Sequence, residues 1–131
     1  YYQENKAEVD AQHKRYYLDN QETISSYKKE WHLQRRFLDA IQTAARKKKE
    51  FTLTEEEYNS EIAKPCYYCR DLFGKDKGFG IGLDRIDNSI GYLPGNVVSC
   101  CKCCNLTRGD RFTQQETKAA VEAILKLRGL L

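Results

Sequence analysis

The first fifty residues carry apolar side chains at helical spacing. This stretch contains neither glycine nor proline, and helix-forming residues dominate it. Apolar positions recur three, four or seven residues apart, as one face of a helix requires, at Ile24, Tyr27, Trp31, Leu38, Ile41 and Ala45. Steps of seven extend the stripe backwards to Tyr2, Val9 and Tyr16, but the next step, to Ile24, is eight. The pattern predicts helix with a break near Asp19 and Asn20.

A repeat of fifteen residues lies within this helical stretch. Residues 1–9 are echoed by residues 16–24, and both copies open with two tyrosines and carry asparagine at the fifth position. We therefore predict a helical extension over residues 1–50 and a separate domain over residues 51–131.

Beyond residue 50 the pattern changes to short elements. Thr54 and Thr113 are each followed three residues later by glutamate, the signature of a helix-starting capping box. The first helix is expected to pass Ile62 and stop before Pro65. The second is expected to bury a stripe formed by Ala120, Val121, Ile124 and either Leu125 or Leu127.

Between these helices, alternation over residues 81–86 and the pair Val97-Val98 predict two short strands. Residues 101–108 then read as a short helix. The order strand, loop, strand, helix is expected.

Composition changes this picture in one respect. The chain has 131 residues, of which 31% are charged, and its net charge is +3. So small and polar a domain buries little apolar area and needs an additional cross-link, a disulfide or a structural metal, which six cysteines can supply. No signal peptide or long apolar run occurs, so we expect no membrane partner and an intracellular protein, in cytoplasm or nucleus, or virus-encoded and acting in the host cell. Clustered cysteines in a reducing compartment favour zinc over disulfides.

The cysteines form one isolated pair and one dense run. Cys66 and Cys69 have the spacing of a knuckle that holds half of a tetrahedral zinc site. The run downstream contains two pairs with the same spacing, Cys100 with Cys103 and Cys101 with Cys104. Spacing alone does not choose between them.

The ordered set of motifs resembles the HNH endonucleases of the zinc-containing type. The set comprises Cys-x-x-Cys, Leu-Asp-Arg-Ile-Asp-Asn, Gly-Tyr, Asn-Val-Val and Cys-Cys-x-Cys-Cys-Asn, and the match runs from about Phe51 to the C-terminus. The resemblance implies an α+β fold, namely a small zinc-stapled ββα-metal unit (HNH or His-Me finger-like) with an N-terminal helical extension and a C-terminal helix.

The resemblance also implies roles for single residues. Asp84 is the metal-binding aspartate, Asn105 the second metal ligand, and Asn96 the brace of the loop between the strands. A carboxylate and a carboxamide suit Mg²⁺ or Mn²⁺ as the catalytic ion. The cysteine directly before the last ligand is a zinc ligand in this family, which selects Cys101 and Cys104 to join Cys66 and Cys69. Four thiolates leave no open position, so the zinc is structural.

Arg85 departs from the family's usual pattern, which has histidine as the base at this place, although arginine also occurs there in HNH-like sequences. Arginine stays protonated and is a poor base, so we expect Arg85 to bind the scissile phosphate. A surface ion pair with Asp84 or Asp87 is the alternative for Arg85. Asp87 is the candidate proton acceptor, with Tyr92 behind it, and capping of the turn at residue 88 is its alternative. A slow enzyme and an inactive site are the other outcomes.

The predicted function is a metal-dependent DNA endonuclease that leaves 5′-phosphate and 3′-hydroxyl ends. The alternatives are a non-catalytic zinc module that binds nucleic acid, and an interaction protein whose tyrosine-rich helices form a coiled coil. Two chains are expected to pair through the N-terminal helices, or these helices hold duplex. Phosphate contacts are expected from Arg35, Arg36, Lys47, Lys48, Arg108 and Arg111, for which a solvated face is the alternative.

Overall fold

The computed structural model describes residues 2–74 and 80–131 and divides the chain into two compact units, Tyr1–Arg36 and Phe37–Leu131. Tyr1 and the side chains of Tyr2, Gln3 and Glu4, which belong to the first copy of the predicted repeat, lie outside this description. The elements are α1 (Tyr2–Asp19), α2 (Gln21–Arg46), α3 (Glu55–Ile62), β1 (Gly82–Arg85), β2 (Val97–Cys100), α4 (Lys102–Arg108) and α5 (Gln114–Leu127). Among the described residues, no helix combines the length and the apolar character that crossing a bilayer needs.

The predicted break in the N-terminal helix is confirmed, because α1 ends at Asp19 and α2 begins at Gln21. The Asn20 side chain donates to the Tyr16 carbonyl oxygen at 2.9 Å. The predicted apolar stripe, however, is not a core. Tyr27 is 68% exposed and Trp31 is 51% exposed.

The end of α2 buries a different face from the predicted one. Ala44 is fully buried, whereas Leu38 and Ile41 are exposed. The Phe37 ring lies 5.8 Å from the Phe51 ring, centre to centre, and 5.6 Å from the Tyr58 ring. The buried face is therefore shifted by one residue towards the N-terminus, to the side on which the Phe37 ring meets the Phe51 and Tyr58 rings.

Both predicted capping boxes form. The Thr54 hydroxyl accepts the Glu57 amide at 3.1 Å, and the Glu57 carboxylate accepts the Thr54 amide at 3.0 Å. At the start of α5, Thr113 and Glu116 make the same pair of bonds at 3.1 Å each.

The buried face of α5 comprises Thr117, Val121 and Leu125, spaced four residues apart. Ala120, Ile124 and Leu127 are exposed, so the predicted stripe is right at Val121 and wrong at Ala120 and Ile124, and the choice between Leu125 and Leu127 falls to Leu125. Val121 and Leu125 belong to the cysteine-rich core.

The predicted strand, loop, strand, helix order is confirmed, and with it the α+β fold class. Strands β1 and β2 form an antiparallel two-stranded sheet in which Asp84 lies opposite Val98, and α4 follows β2 directly. Val98 packs against a core made of Cys66, Tyr68, Cys69, Cys100, Cys101, Cys104, Val121 and Leu125. Because opposed residues share a face of the sheet, Asp84 points to the side where this core lies.

Candidate metal centres and catalytic site

Four buried thiols meet between the two cysteine motifs. The sulfur atoms of Cys66, Cys69, Cys101 and Cys104 all lie within 4.8 Å of one another. The first pair lies in a turn held by a bond from the Cys66 amide to the Asp71 carboxylate, at 3.0 Å. Four thiolates at these separations fit a tetrahedral zinc ion, which takes four ligands in structural sites.

The choice that spacing left open is resolved by the backbone around α4. Cys101 caps this helix, and its sulfur accepts the Cys104 amide at 3.4 Å. Cys103 is exposed, and the Cys100 thiol donates to the Cys101 carbonyl oxygen at 3.3 Å. The pair Cys101 and Cys104 therefore joins the knuckle, as the resemblance implied.

The thiols of this cluster do not titrate alike. Hydrogen bonds from the Cys100 and Cys104 thiols lower the pKa of Cys66 below its ordinary value. Burial raises the pKa of Cys101 to about 12. Thiols so close together ionise jointly only when a cation balances their charge, which is what a metal supplies.

Asp84 is nearly buried, and two donors hold one of its oxygens. Oδ2 accepts the Tyr68 hydroxyl at 2.5 Å and Nη1 of Arg108 at 2.6 Å. From the part of the chain that the structure describes, no hydrogen bond reaches Oδ1. Asp84 therefore has one oxygen fixed by the protein and one available as a ligand.

Arg108 is only 2% exposed and makes internal contacts throughout. Besides Asp84, its Nη1 donates to the Arg85 carbonyl, its Nη2 to the Ile86 carbonyl at 2.9 Å, and its Nε to the Phe112 carbonyl at 3.0 Å. Burial acts to lower the pKa of Arg108, but the hydrogen bond and charge of Asp84 outweigh it and raise that pKa.

The prediction that Arg108 touches phosphate is therefore wrong. Its guanidinium is buried and donates to groups of the protein itself, on and next to β1 and at Phe112. Arg108 follows Asn105 by three residues on α4, and Asn105 is exposed. Arg108 also follows Cys104 by four residues, and these two are the buried residues of α4, so helical spacing from a predicted zinc ligand is the sequence signal that could have placed Arg108 inside. No comparable signal pointed to Tyr68.

Asn96 joins the two ends of the loop between the strands. Its Oδ1 accepts the Asp87 amide at 2.9 Å, and its Nδ2 donates to the Gly91 carbonyl at 2.8 Å and the Asp87 carbonyl at 3.2 Å. These are contacts that a loop brace requires.

Asp87 caps the turn that follows it. Its Oδ1 accepts the Ser89 hydroxyl at 2.6 Å and the Ser89 amide at 2.9 Å. These bonds lower the pKa of Asp87 below its ordinary value. Since an efficient base has a pKa near the working pH, the geometry favours turn capping over proton abstraction.

The Arg85 guanidinium is hydrogen-bonded to carbonyl groups of the loop between β1 and β2 and not to a described carboxylate. Its Nη1 donates to the Asn88 carbonyl at 2.7 Å and the Ile90 carbonyl at 3.2 Å, and its guanidinium lies 5.4 Å from the Tyr92 ring centre. It forms no ion pair with any acid that the structure describes. The surface ion pair considered from sequence is thus not formed.

A surface cleft of about 560 Å³ opens beside Arg85. Its lining also includes Lys47, Lys49, Asn88, Ser89 and Asp110. Of the six basic residues predicted to contact phosphate, Lys47 lines this cleft. Arg35, Lys48 and Arg111 are exposed, and Arg36 is half-buried.

Comparison with solved structures assigns the fold. The chain superposes on the HNH restriction endonuclease PacI with a TM-score of 0.60 and 24% identity, over 76% of this chain and 82% of the PacI chain. PacI is described as a rare-cutting enzyme that perturbs DNA by an unusual mechanism. The protein therefore has an HNH-like fold, as the motifs implied.

Two curated relatives come from viruses, and both are uncharacterised. Protein R423 of Acanthamoeba polyphaga mimivirus is 33% identical over 111 residues, which are 79% of this chain and 19% of that protein. A 29.0 kDa protein from the dda-modA intergenic region of Enterobacteria phage T4 is 33% identical over 87 residues, which are 64% of this chain and 34% of that protein. This chain thus spans about a fifth and a third of their lengths. No family model matches the chain.

Proposed function

We propose that this protein is a metal-dependent endonuclease that hydrolyses phosphodiester bonds in DNA. The observation that carries the proposal is Asp84, a nearly buried carboxylate with one oxygen fixed and the other without a described partner. It lies on the first strand of an HNH-like fold, directly before a half-buried arginine that lines a cleft.

Two metals have distinct roles in this proposal. Zinc on Cys66, Cys69, Cys101 and Cys104 holds the fold. Asp84 through Oδ1 and Asn105 through its side-chain oxygen would hold Mg²⁺ or Mn²⁺, for which oxygen donors are the suited ligands. When bound, this ion supplies Lewis-acid stabilisation of the phosphate and of the leaving 3′ oxygen.

The protein's own side chains place the substrate. Arg85 uses only Nη1 in its described bonds, so the rest of its guanidinium can clamp phosphate at the cleft. Lys47 and Lys49 add positive charge there, and a neighbouring phosphate of the strand would bind them. Asn96 keeps the loop that carries these contacts rigid. The proton of the attacking water passes to solvent, with Asp87 as the alternative acceptor that its turn-capping bonds disfavour.

Basic residues outside the cleft would hold DNA further from the cut. Arg35, Arg36, Lys48 and Arg111 are the candidates, acting through sequence-independent phosphate contacts. The exposed aromatic stripe of α2 supports the further proposal that two chains pair through these helices. Analytical ultracentrifugation of the native protein and of Trp31→Glu tests this proposal, and we expect a dimer only for the native protein. Since both relatives are viral, we propose that the protein acts inside a host cell.

The test is nicking of supercoiled plasmid in Mg²⁺ and in Mn²⁺. We expect cleavage by the native protein and by the control Asp19→Asn, in which an exposed carboxylate is removed from α1. We expect loss of cleavage in Asp84→Ala and in Asn105→Ala. Cleavage that survives both substitutions would sink the site assignment.

The replacement of the family's histidine by Arg85 favours one competing function, a zinc module that binds DNA without cutting it. Zinc-loaded, folded protein that binds duplex yet cuts no duplex, single-stranded or branched substrate with either metal would establish this alternative.

A further inference from the structure

The arrangement around Asp84 restricts how its carboxylate can bind a cation. Tyr68 and Arg108 both donate to the same oxygen, Oδ2. An oxygen that already accepts two hydrogen bonds, one from a cation, is poorly disposed to bind a second cation. The carboxylate is thereby left with Oδ1 as its ligand atom.

Both donors are held in place independently of Asp84. The Arg108 guanidinium is fixed by carbonyl groups of Arg85, Ile86 and Phe112, so it cannot swing away from Oδ2 without losing several bonds. The Tyr68 side chain is 1% exposed and belongs to the cysteine-rich core. The occupation of Oδ2 is therefore a built feature of the fold.

The number of carboxylate oxygens offered matters for the choice of ion. Ca²⁺ takes six to eight oxygen ligands and often binds both oxygens of one carboxylate, whereas Mg²⁺ requires a near-ideal octahedron and takes one or two carboxylates with water. We propose that Arg108 and Tyr68 make Asp84 a one-oxygen ligand and thereby set a preference for Mg²⁺ or Mn²⁺ over Ca²⁺. This inference rests on the proposed metal site at Asp84 and assigns its specificity.

The experiment measures metal binding rather than cleavage. Free Mn²⁺ is titrated by electron paramagnetic resonance with the zinc-loaded full chain, and Ca²⁺ then competes for the bound Mn²⁺. The test variants are Tyr68→Phe, which removes one donor and keeps the ring, and Arg108→Gln, which removes the charged donor. The controls are Tyr67→Phe and Arg128→Gln, which change exposed groups of the same kinds.

We expect the ratio of Ca²⁺ to Mn²⁺ affinity to rise about tenfold or more in Tyr68→Phe and Arg108→Gln, the size of effect that partners of a metal ligand have on its site. The ratio should stay at the native value in both controls. Arg108 forms a buried ion pair with Asp84, so Arg108→Gln can fail to fold, and the affinity ratio of Tyr68→Phe is then the deciding measurement.

A ratio that is unchanged in folded Tyr68→Phe would overturn the inference and leave the proposed function standing. Mn²⁺ binding that depends on Asp84 but supports no cleavage would overturn the proposed function alone. Native protein that binds no Mn²⁺ would overturn both.

Discussion

The strongest prediction from this structure concerns two neighbouring cysteines. Cys104 belongs to the buried quartet, whereas Cys103 is exposed and outside it. Serine replaces either thiol with a group of similar size, so the two variants differ mainly in whether a zinc ligand is lost. We expect Cys104→Ser to lose zinc and the cooperative unfolding of the second unit, and Cys103→Ser to keep both.

The core shows how large the effect should be. Five of its eight buried residues are cysteines, and the others are Tyr68, Val121 and Leu125. Burying a large apolar side chain contributes roughly 1.5–3 kcal/mol, so these three contribute about 5–9 kcal/mol. Structural zinc contributes about 10–16 kcal/mol in small zinc domains, which is comparable with the whole stability of a typical domain, about 5–15 kcal/mol. Without a metal, the cysteine-rich cluster has little apolar burial of its own to hold it together.

Zinc per chain after gel filtration and thermal unfolding by near-ultraviolet circular dichroism are the measurements. Cys103→Ser should retain one zinc and melt within about 2–4 °C of the native protein, since exposed substitutions cost no more than about 0.5 kcal/mol. The reasoning is refuted if Cys104→Ser retains one zinc and melts as sharply as Cys103→Ser, or if both variants lose zinc.

Three further predictions concern the loop and the cleft. Gly91→Ala places a methyl group 2.2 Å from the Glu50 carbonyl oxygen and should lower the free energy of unfolding by about 1–3 kcal/mol, as measured by urea unfolding. The control is Gly82→Ala, in which the nearest atom to the new methyl group is 3.9 Å away. Asp87→Asn should keep plasmid nicking within about tenfold, because asparagine also caps turns, and a loss of about 10²-fold or more would make Asp87 the base. Lys47→Gln should reduce the slope of log affinity for duplex DNA against log salt concentration by about 0.9, because one phosphate contact is lost. An equal reduction in the control Lys126→Gln, which changes an exposed lysine of α5, would contradict a specific role of the cleft in DNA binding.

Elements with local chemistry were predictable from sequence. The capping boxes at Thr54 and Thr113 depend on side chains three residues apart, so their geometry follows from the sequence alone. The break at Asp19 followed from a change in the spacing of apolar residues. The quartet of cysteines needed the family resemblance, because two pairs in the run had equal spacing and only the fold distinguishes them.

Features that depend on tertiary contacts were not predictable. The helix face that α2 buries is set by Phe51 and Tyr58, which lie in other segments of the chain. Arg108 looked like a surface arginine before a helix, because its partner Asp84 is 24 residues away in sequence. A charged side chain is assigned to the surface unless its partner is known, and pairs of this kind are seen only once the chain has folded.

The loop between β1 and β2 is hydrogen-bonded to residues 50–52, which follow α2. The Tyr92 amide donates to the Glu50 carbonyl at 2.7 Å, and the Thr52 amide donates to the Tyr92 carbonyl at 3.1 Å. A fragment that starts at Phe51 would therefore lack one of these bonds and would leave the Phe51 ring without Phe37. The shortest fragment expected to hold the loop starts at Phe37, where the second unit begins, so the minimal HNH-like unit includes the last turns of a helix that the sequence pattern assigned to an extension.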